Sequence, residues 1–309
     1  MSNTEVELLA DFGDQCGECP VWDPSDGVIY WTDLMGHRFY RYDRGKNAAR
    51  VVREHLQITG FRRDQSGGFV IANKSGVWLW NVSDDPVLIA KEVNGFACRM
   101  NDCGCDSRGR FLAGSNFYHP GERYELGKLF SFDNRGVGTI LDEGFHLANG
   151  LAFSPHYDQL YFADSVGRVI YAYDYDLAHG SVKNRRVLVR VPSDEGIPDG
   201  LTVDAEGFLW SAQWYGSCVV RYDPDGVVER RIMLPAKQTS AAAFGGPDLD
   251  ELYVTSAAVS EVIPVAPERY DGNNGYFGGG LFRVRPGVQG LVPVMADLSA
   301  GWRMPDGMR

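Results

Sequence analysis

Short runs of alternating apolar and polar residues recur along this chain, and turns rich in Asp, Pro and Gly separate them. Residues 151–174 show one full unit, in which LAFSP, LYFAD and RVIYAYD are divided by HYDQ and SVG. Alternation with a period of two is typical of a β-strand that buries one face. The pattern therefore predicts an all-β chain with several short strands in each unit.

At the start of each unit, a polar residue stands where a buried strand normally carries an apolar one. The six residues at this phase are Glu18, Thr59, Asn101, Asn149, Asp199 and Ser240. They lie 41 to 50 residues apart, a period typical of propeller blades. We predict a six-bladed β-propeller with four-stranded blades, forming one domain over residues 1–309, in which these six residues share a ring around the central channel.

Closure of such a ring needs a strand from one terminus to complete the blade at the other, so that no long sheet edge is exposed. Segment 6–10 has no other partner, and we predict that it pairs with the last blade beside a strand at 291–295. The last blade also carries an insert of about 20 residues between its second and third strands, and within it the glycine-rich run 277–280 is predicted to be a flexible loop.

The composition narrows the choice of partners and location. A formal net charge of −11 and a pI near 5.0 argue against nucleic acid and anionic membranes as partners, because both would repel this surface. The N-terminal residues lack the pattern of an export signal, which predicts a cytoplasmic protein. The oligomeric state is left open.

Six cysteines in a chain of this length are predicted to be reduced and buried. A thiolate zinc site is the alternative, because Cys16 and Cys19 form a C-x-x-C motif and Cys98, Cys103 and Cys105 cluster near Asn101. A second C-x-x-C or a histidine pair at ligand spacing, which structural zinc sites need, does not follow.

Three members of the ring form a plausible ligand set for a metal ion. Glu18, Asn149 and Asp199 offer two carboxylates and one amide carbonyl, which suit Ca²⁺, Mg²⁺, Mn²⁺ or Fe²⁺ and permit Zn²⁺. The alternative is a water-filled channel lined by polar groups. Two carboxylates facing one narrow channel repel each other, however, and the ring phase contains no Lys or Arg to neutralise them. We predict one divalent metal ion.

The chain resembles the senescence marker protein, gluconolactonase and regucalcin family of sugar lactonases over nearly its whole length. The fragments that carry the resemblance are Gly17-Glu18-Cys-Pro-Val-Trp22, Arg99-Met-Asn101-Asp102, Asn149-Gly150-Leu-Ala-Phe-Ser-Pro155, Pro198-Asp199-Gly200-Leu-Thr-Val-Asp204 and Phe244-Gly-Gly-Pro-Asp-Leu249. The resemblance implies a six-bladed propeller in which Glu18, Asn149 and Asp199 bind the metal while Arg99 and Asn101 hold the sugar. It departs from the family at Cys19, where many members have Gly, and in the loop 117–126, where Tyr118 and His119 replace an acidic residue of some relatives.

The resemblance further implies a small-molecule sugar lactone as substrate and ring opening by hydrolysis. The metal would polarise the lactone carbonyl, and Asp199 would act as ligand and general base; the sequence does not separate it from Glu18 in the second role. For Arg99 the alternative is an ion pair with a surface acid such as Glu92. His119 and His146, and Trp214 with Tyr215, fall in loops at the predicted pocket mouth.

Three rival function classes stay open on the sequence. One is a non-catalytic calcium-binding regulatory protein of the regucalcin type, and another is a propeller scaffold for protein partners. The third is a related propeller hydrolase of aryl esters or organophosphates, because a metal that polarises a carbonyl also polarises a phosphoryl oxygen.

Overall fold

The fold is known from a computed structural model that describes residues 5–119, 122–259, 265–268, 270–272 and 275–298. Six antiparallel four-stranded sheets and one two-stranded hairpin make up the strands of this part of the chain. The innermost strands contact one another in a closed cycle, so that each sheet is one blade around a common axis. The predicted six-bladed all-β propeller is confirmed.

The first three blades follow chain order. After β1 (Val6–Asp11) they comprise β2 (Gly17–Asp23), β3 (Val28–Asp33), β4 (Arg38–Asp43) and β5 (Ala48–Glu54); β6 (Gly60–Arg63), β7 (Phe69–Asn73), β8 (Gly76–Trp80) and β9 (Val87–Ala90); and, after the hairpin β10 (Glu92–Val93) and β11 (Phe96–Ala97), β12 (Met100–Cys105), β13 (Phe111–Ser115), β14 (Gly127–Phe132) and β15 (Gly138–Phe145).

The last three blades repeat the arrangement, and the sixth takes its outer strand from the N-terminus. They comprise β16 (Ala148–Phe153), β17 (Gln159–Asp164), β18 (Val169–Asp176) and β19 (Ser181–Arg190); β20 (Ile197–Val203), β21 (Leu209–Trp214), β22 (Cys218–Tyr222) and β23 (Val228–Met233); and β24 (Thr239–Gly245), β25 (Glu251–Ser256), β26 (Gly280–Val284) and β1.

Burial decreases from the inner strands to the outer strands of a blade. Every residue of β2, β3, β16 and β21 is buried, because neighbouring blades cover both faces of these strands. The outer strands β5 and β19 are exposed at many positions. The apolar core therefore lies between adjacent blades.

The ring closes through β1, but not beside the predicted neighbour. Strand β1 pairs antiparallel with β26, with Val6 opposite Val284 and Leu8 opposite Phe282. Residues 291–295 form no strand, so the prediction that β1 lies beside them is wrong. The prediction of a flexible loop over 277–280 is wrong in part, because Gly280 begins β26. In addition, the Ser256 hydroxyl accepts hydrogen bonds from the N–H groups of Gly279 and Gly280.

The segment after β26 instead crosses one face of the propeller. Gly290 bridges to Asp204, and Ala296 bridges to Asp64, while the Leu298 N–H donates to the Asp64 carboxylate. A cavity of about 160 Å³ lies between this segment and the innermost strands. The segment thus covers one end of the channel and leaves the opposite end, where the innermost strands begin, for a functional site.

Within the described residues, no helix has the length and apolar composition needed to cross a bilayer.

Candidate active site

The six ring residues lie at the same end of the propeller because each stands at or next to the start of an innermost strand. Since neighbouring strands are antiparallel, the turns between second and third strands lie at this end as well. We call this end the mouth.

In five blades the ring residue coincides with an irregularity in strand pairing. The register between first and second strands shifts between Glu18 and Val21, and it shifts likewise at the ring positions of blades three to six. Such bulges redirect a side chain and are enriched beside active sites. Blade two pairs regularly from Gly60 to Arg63, and its ring residue is the short Thr59.

Thr59 and Ser240 hold neighbouring blades together. The Thr59 hydroxyl lies 3.1 Å from the carbonyl oxygens of Ala72 and Met100, the latter in blade three. Ser240 donates its hydroxyl to the carbonyl of Gly17 in blade one. These two ring members therefore serve structure, which leaves Glu18, Asn101, Asn149 and Asp199 for chemistry.

A series of hydrogen bonds, in which each group donates to the next, fixes the orientations of the Asn149 and Asn101 side-chain amides. The carbonyl of Pro198 only accepts, so Ser165 donates to it at 2.6 Å and in turn accepts from Asn149 Nδ2 at 2.9 Å. Asn149 Oδ1 must then face the other way, where it accepts from Asn101 Nδ2 at 2.9 Å. One lone pair of this oxygen remains for a further partner.

Asn101 has the same constraint, and it changes the role expected of this residue. Its second Nδ2 hydrogen goes to the carbonyl of Ala148 at 2.9 Å, so both amide hydrogens are engaged. Its Oδ1 accepts from Lys74 Nζ at 3.0 Å and, at a longer 3.4 Å, from Asn116 Nδ2. Asn101 therefore has no spare N–H, and a sugar hydroxyl can reach only its oxygen, in place of the long contact with Asn116.

Two predicted ligands form a buried pair of carboxyl groups. Burial raises the pKa of Glu18 well above its ordinary value, and the charge of Asp199 raises it further. The pKa of Asp199 is also raised well above its ordinary value, first by burial and then by the charge of Asp102. The structure therefore brings Glu18 and Asp199 within electrostatic reach of each other, as the ring arrangement predicts.

Asp199 carries the clearest sign of a missing partner. Its Oδ1 is buried and has no hydrogen-bond partner within the described part of the chain, and such orphaned acceptors usually mark an ion or a function. Glu18 accepts one hydrogen bond, from the Cys19 N–H at 3.3 Å. Two carboxylates and one oriented amide oxygen are a donor set that fits a divalent cation.

Sequence reasoning missed Asp102 and Lys74. Asp102 directly follows a ring residue, and its half-buried carboxylate accepts the Cys103 N–H at 2.7 Å. Lys74 lies in the turn between β7 and β8 and reaches the mouth over the short Thr59. The one indication in the sequence is that the ring residue of blade two, Thr59, is short, so that a longer side chain of the same blade can reach the channel.

Arg99 does not form the ion pair that was the alternative to a functional role. Arg99 is exposed, and no side chain of the described residues forms an ion pair or a hydrogen bond with its guanidinium. Burial, together with the charge of Arg99, lowers the pKa of Lys74 to about 8.

The cysteines are free and buried, as predicted. Among the described residues, Cys19, Asp102 and Cys103 bring ligand atoms within 4.8 Å of one another, whereas Cys16 is not in this group. Arg62 donates to the Cys19 sulfur at 3.1 Å and to the Cys103 carbonyl at 2.7 Å, and this fixed positive charge opposes a cation there. Cys19 has a φ of +50°, where Gly is favoured.

An apolar wall completes the mouth on the side of blades four to six. Trp214, which ends strand β21 instead of lying in a loop, and Tyr215 are buried in a cluster with Leu147 and Ile197. Tyr118 packs against this cluster.

The two candidate histidines point to neighbours of their own. His119 is largely exposed and lies 3.6 Å from Glu122, whereas His146 Nδ1 is 2.8 Å from the Tyr124 hydroxyl. Neither contacts a ring residue in the described structure.

Comparison with known proteins agrees with this architecture. Residues 16–258 match the family described as "SMP-30/Gluconolactonase/LRE-like region". Pentonolactonase XacC of Haloferax volcanii is 34% identical, with 96% of this chain and 99% of the relative covered. Regucalcin of Xenopus laevis is 36% identical over 83% of this chain and 88% of its own length. A solved luciferin-regenerating enzyme superposes with a TM-score of 0.85 and 26% identity, with 96% of this chain and all of that chain covered.

The matched region contains all six ring residues and Arg99, and the chain therefore belongs to the SMP-30/gluconolactonase/LRE-like family.

Proposed function

We propose that this protein is a metal-dependent sugar lactonase in which Glu18, Asn149 and Asp199 bind one divalent ion and Asp199 is the general base. The observation that carries the proposal is the buried, unpaired Asp199 Oδ1 on the same ring as Glu18 and an amide of fixed orientation. The relative named pentonolactonase supports a sugar lactone as the substrate class.

The ligand set fits hard cations. Two carboxylates balance a divalent charge, and three oxygen donors suit Ca²⁺, Mg²⁺, Mn²⁺ or Fe²⁺ and permit Zn²⁺. When bound, such an ion polarises an ester carbonyl and stabilises the negative charge that develops on it.

The other roles in catalysis and substrate binding belong to side chains of the protein. The Asp199 carboxylate accepts a proton from the water that attacks the lactone carbonyl, because no protein donor competes for its Oδ1. It returns this proton to the ring oxygen as the acyl C–O bond of the lactone breaks. Asn101 Oδ1 accepts a sugar hydroxyl, and Arg99 donates to substrate oxygens. The apolar wall around Trp214 excludes water from the opposite side of the mouth.

The test is a panel of aldonolactones with the glucono, galactono, xylono, arabinono and fucono rings. The protein is first stripped with a chelator and then assayed for acid release with and without each divalent ion. We expect hydrolysis only after an ion is restored. Turnover of no lactone with any ion would contradict the proposal.

Asp199→Asn is expected to lower kcat by about 10²- to 10⁴-fold, the usual contribution of a general base. The matched control is Asp174→Asn, a surface change at a carboxylate 54% exposed, which should leave kcat unchanged. Unaltered kcat in the Asp199 variant would remove this residue from the chemistry.

One specific observation favours a second candidate function. The relative named regucalcin is 36% identical over 83% of this chain, and the second candidate is a non-catalytic calcium-binding protein of the regucalcin type. Calorimetric binding of Ca²⁺ without hydrolysis of any lactone would favour this candidate. Aryl esters and phosphotriesters in the same panel test for a related esterase or organophosphate hydrolase.

A further inference from the structure

We propose that Lys74 and Arg99 form an anion site at the mouth, and that the preferred substrate is a sugar lactone that carries an anionic group away from its reacting carbonyl. This inference rests on the proposed lactonase function and names the substrate class of the same site.

The first observation is that Lys74 has spare donors. The turn between β7 and β8 places its half-buried ammonium 3.0 Å from Asn101 Oδ1. An ammonium has three N–H donors, and the described structure gives it no other hydrogen bond. Two donors therefore remain for a ligand.

The second observation is the pairing of like charges without a counterion. Lys74 lies close enough to Arg99 that the guanidinium charge lowers the pKa of the ammonium. Neither forms an ion pair with a described residue, although the chain has 41 acidic and 30 basic residues and many of its other basic side chains are paired. A bound anion relieves this repulsion.

The third observation is the distribution of charge around the mouth. The carboxyl groups of Glu18, Asp102 and Asp199 form one cluster. Lys74 lies on blade two and Arg99 at the start of blade three, whereas the wall around Trp214 is apolar. A neutral sugar would leave both cations unpaired on binding. An anionic substituent fits only beside the two cations. The lactone carbonyl of the same substrate then lies toward Asp199 and the other proposed metal ligands.

Asn101 connects the two regions. It accepts from Lys74 and donates to Asn149 Oδ1 at 2.9 Å, so the anion site lies one residue from the proposed metal ligands. This separation is on the scale of a single sugar ring, and it favours a substituent on the substrate itself over a separate anionic effector.

Carboxylate and phosphate groups share the chemistry that this site recognises. The test compares galactono-1,4-lactone with galactaro-1,4-lactone, which differ by a carboxylate, and glucono-1,5-lactone with its 6-phosphate. The wild-type protein should show kcat/KM about 10- to 100-fold higher for one anionic member than for its neutral counterpart, the range that charge-assisted hydrogen bonds give. The arm that shows the preference identifies the anion.

Lys74→Met should reduce this preference ratio to near one, mainly through a higher KM for the anionic lactone, whereas Lys74→Arg should keep most of it. Lys46→Met is the control, because that side chain is 78% exposed and pairs with Asp43. A wild-type ratio near one in both arms, or an equal loss for both members of a pair in Lys74→Met, would overturn the proposal.

A binding measurement separates this inference from the proposed function. Calorimetry with galactarate, 6-phosphogluconate and the neutral galactitol does not require turnover. Tighter binding of either anion than of galactitol, weakened by Lys74→Met, supports the anion site even if no lactone is hydrolysed. Equal binding of all three contradicts it.

Discussion

At the scale of single residues, hydrogen-bond direction decides what the ring offers to a ligand. The carbonyl of Pro198 can only accept, and this acceptor sets the hydrogen-bond direction of Ser165, Asn149 and Asn101 in turn. The series ends at Lys74, which can only donate. The amide nitrogen of Asn149 consequently faces Ser165, and its oxygen faces Asn101 and keeps one lone pair for a further partner.

Asn101→Ala removes both the acceptor for a sugar hydroxyl and the donor that holds Asn149. We expect kcat/KM for lactones to fall about 10- to 100-fold, since one or two hydrogen bonds to bound groups are lost. Steady-state kinetics measure the effect, with Asn184→Ala as control, because Asn184 contacts the surface residue Asp174. Unchanged kinetics would place Asn101 outside the pocket.

Asp14 gives a prediction for the pH dependence of stability. Burial is the main cause that raises the pKa of its carboxyl from 3.8 to about 6, although Tyr40 and Trp31 donate to it. Because the folded pKa exceeds the unfolded one, the stabilising contribution of this group is complete below pH 4 and is lost as pH rises through about 6.

Between pH 4 and 7, the wild-type protein should thus lose about 3 kcal/mol of unfolding free energy relative to Asp14→Asn. Urea denaturation across this range measures the difference. Parallel pH profiles for the two proteins would show that Asp14 titrates as it does in the unfolded chain.

At the scale of elements, buried carboxylates after the innermost strands fix the turns and the next strands. Asp204, directly after β20, accepts the N–H groups of Glu206 and Phe208 at 3.0 Å, and Trp210 and Arg221 donate to it at 2.8 Å. One side chain therefore links the turn to two further strands of its blade.

Asp204→Asn leaves the nearly buried charge of Arg221 without its main partner. Loss of one partner of a buried ion pair costs about 3 to 5 kcal/mol, and we expect a decrease of this size in urea denaturation. Glu206→Gln is the control, because this second partner of Arg221 is 58% exposed and contributes about 0 to 1 kcal/mol. Equal effects of the two changes would contradict the assignment.

At the scale of the whole molecule, closure of the ring depends on β1. Its pairing with β26 covers an edge that would otherwise present unpaired backbone groups, and the Glu7 carboxylate pairs with Arg283 across the same seam. The segment from Gly290 to Leu298 adds contacts from the last blade to blades two and five.

Deletion of residues 1–11 is expected to lower the Tm by about 10 °C, because the loss of one strand costs several kcal/mol, and to promote aggregation through the exposed β26 edge. Calorimetry and size-exclusion chromatography measure these effects, and deletion of residues 1–4 is the control that keeps β1. A monomer with an unchanged Tm would show that closure does not need β1.

The sequence by itself determined the class of fold, the number of blades and the ring phase, because strand alternation and the blade period are local and repeat along the chain. It also placed Glu18, Asn101, Asn149 and Asp199 on one ring, since they share that phase. Only the tertiary structure decided which strand β1 joins and which ring hydroxyls hold blades together. It likewise revealed Lys74 and Asp102 at the site, because a side chain that reaches the channel from a turn or beside a bulge has no fixed phase in the repeat.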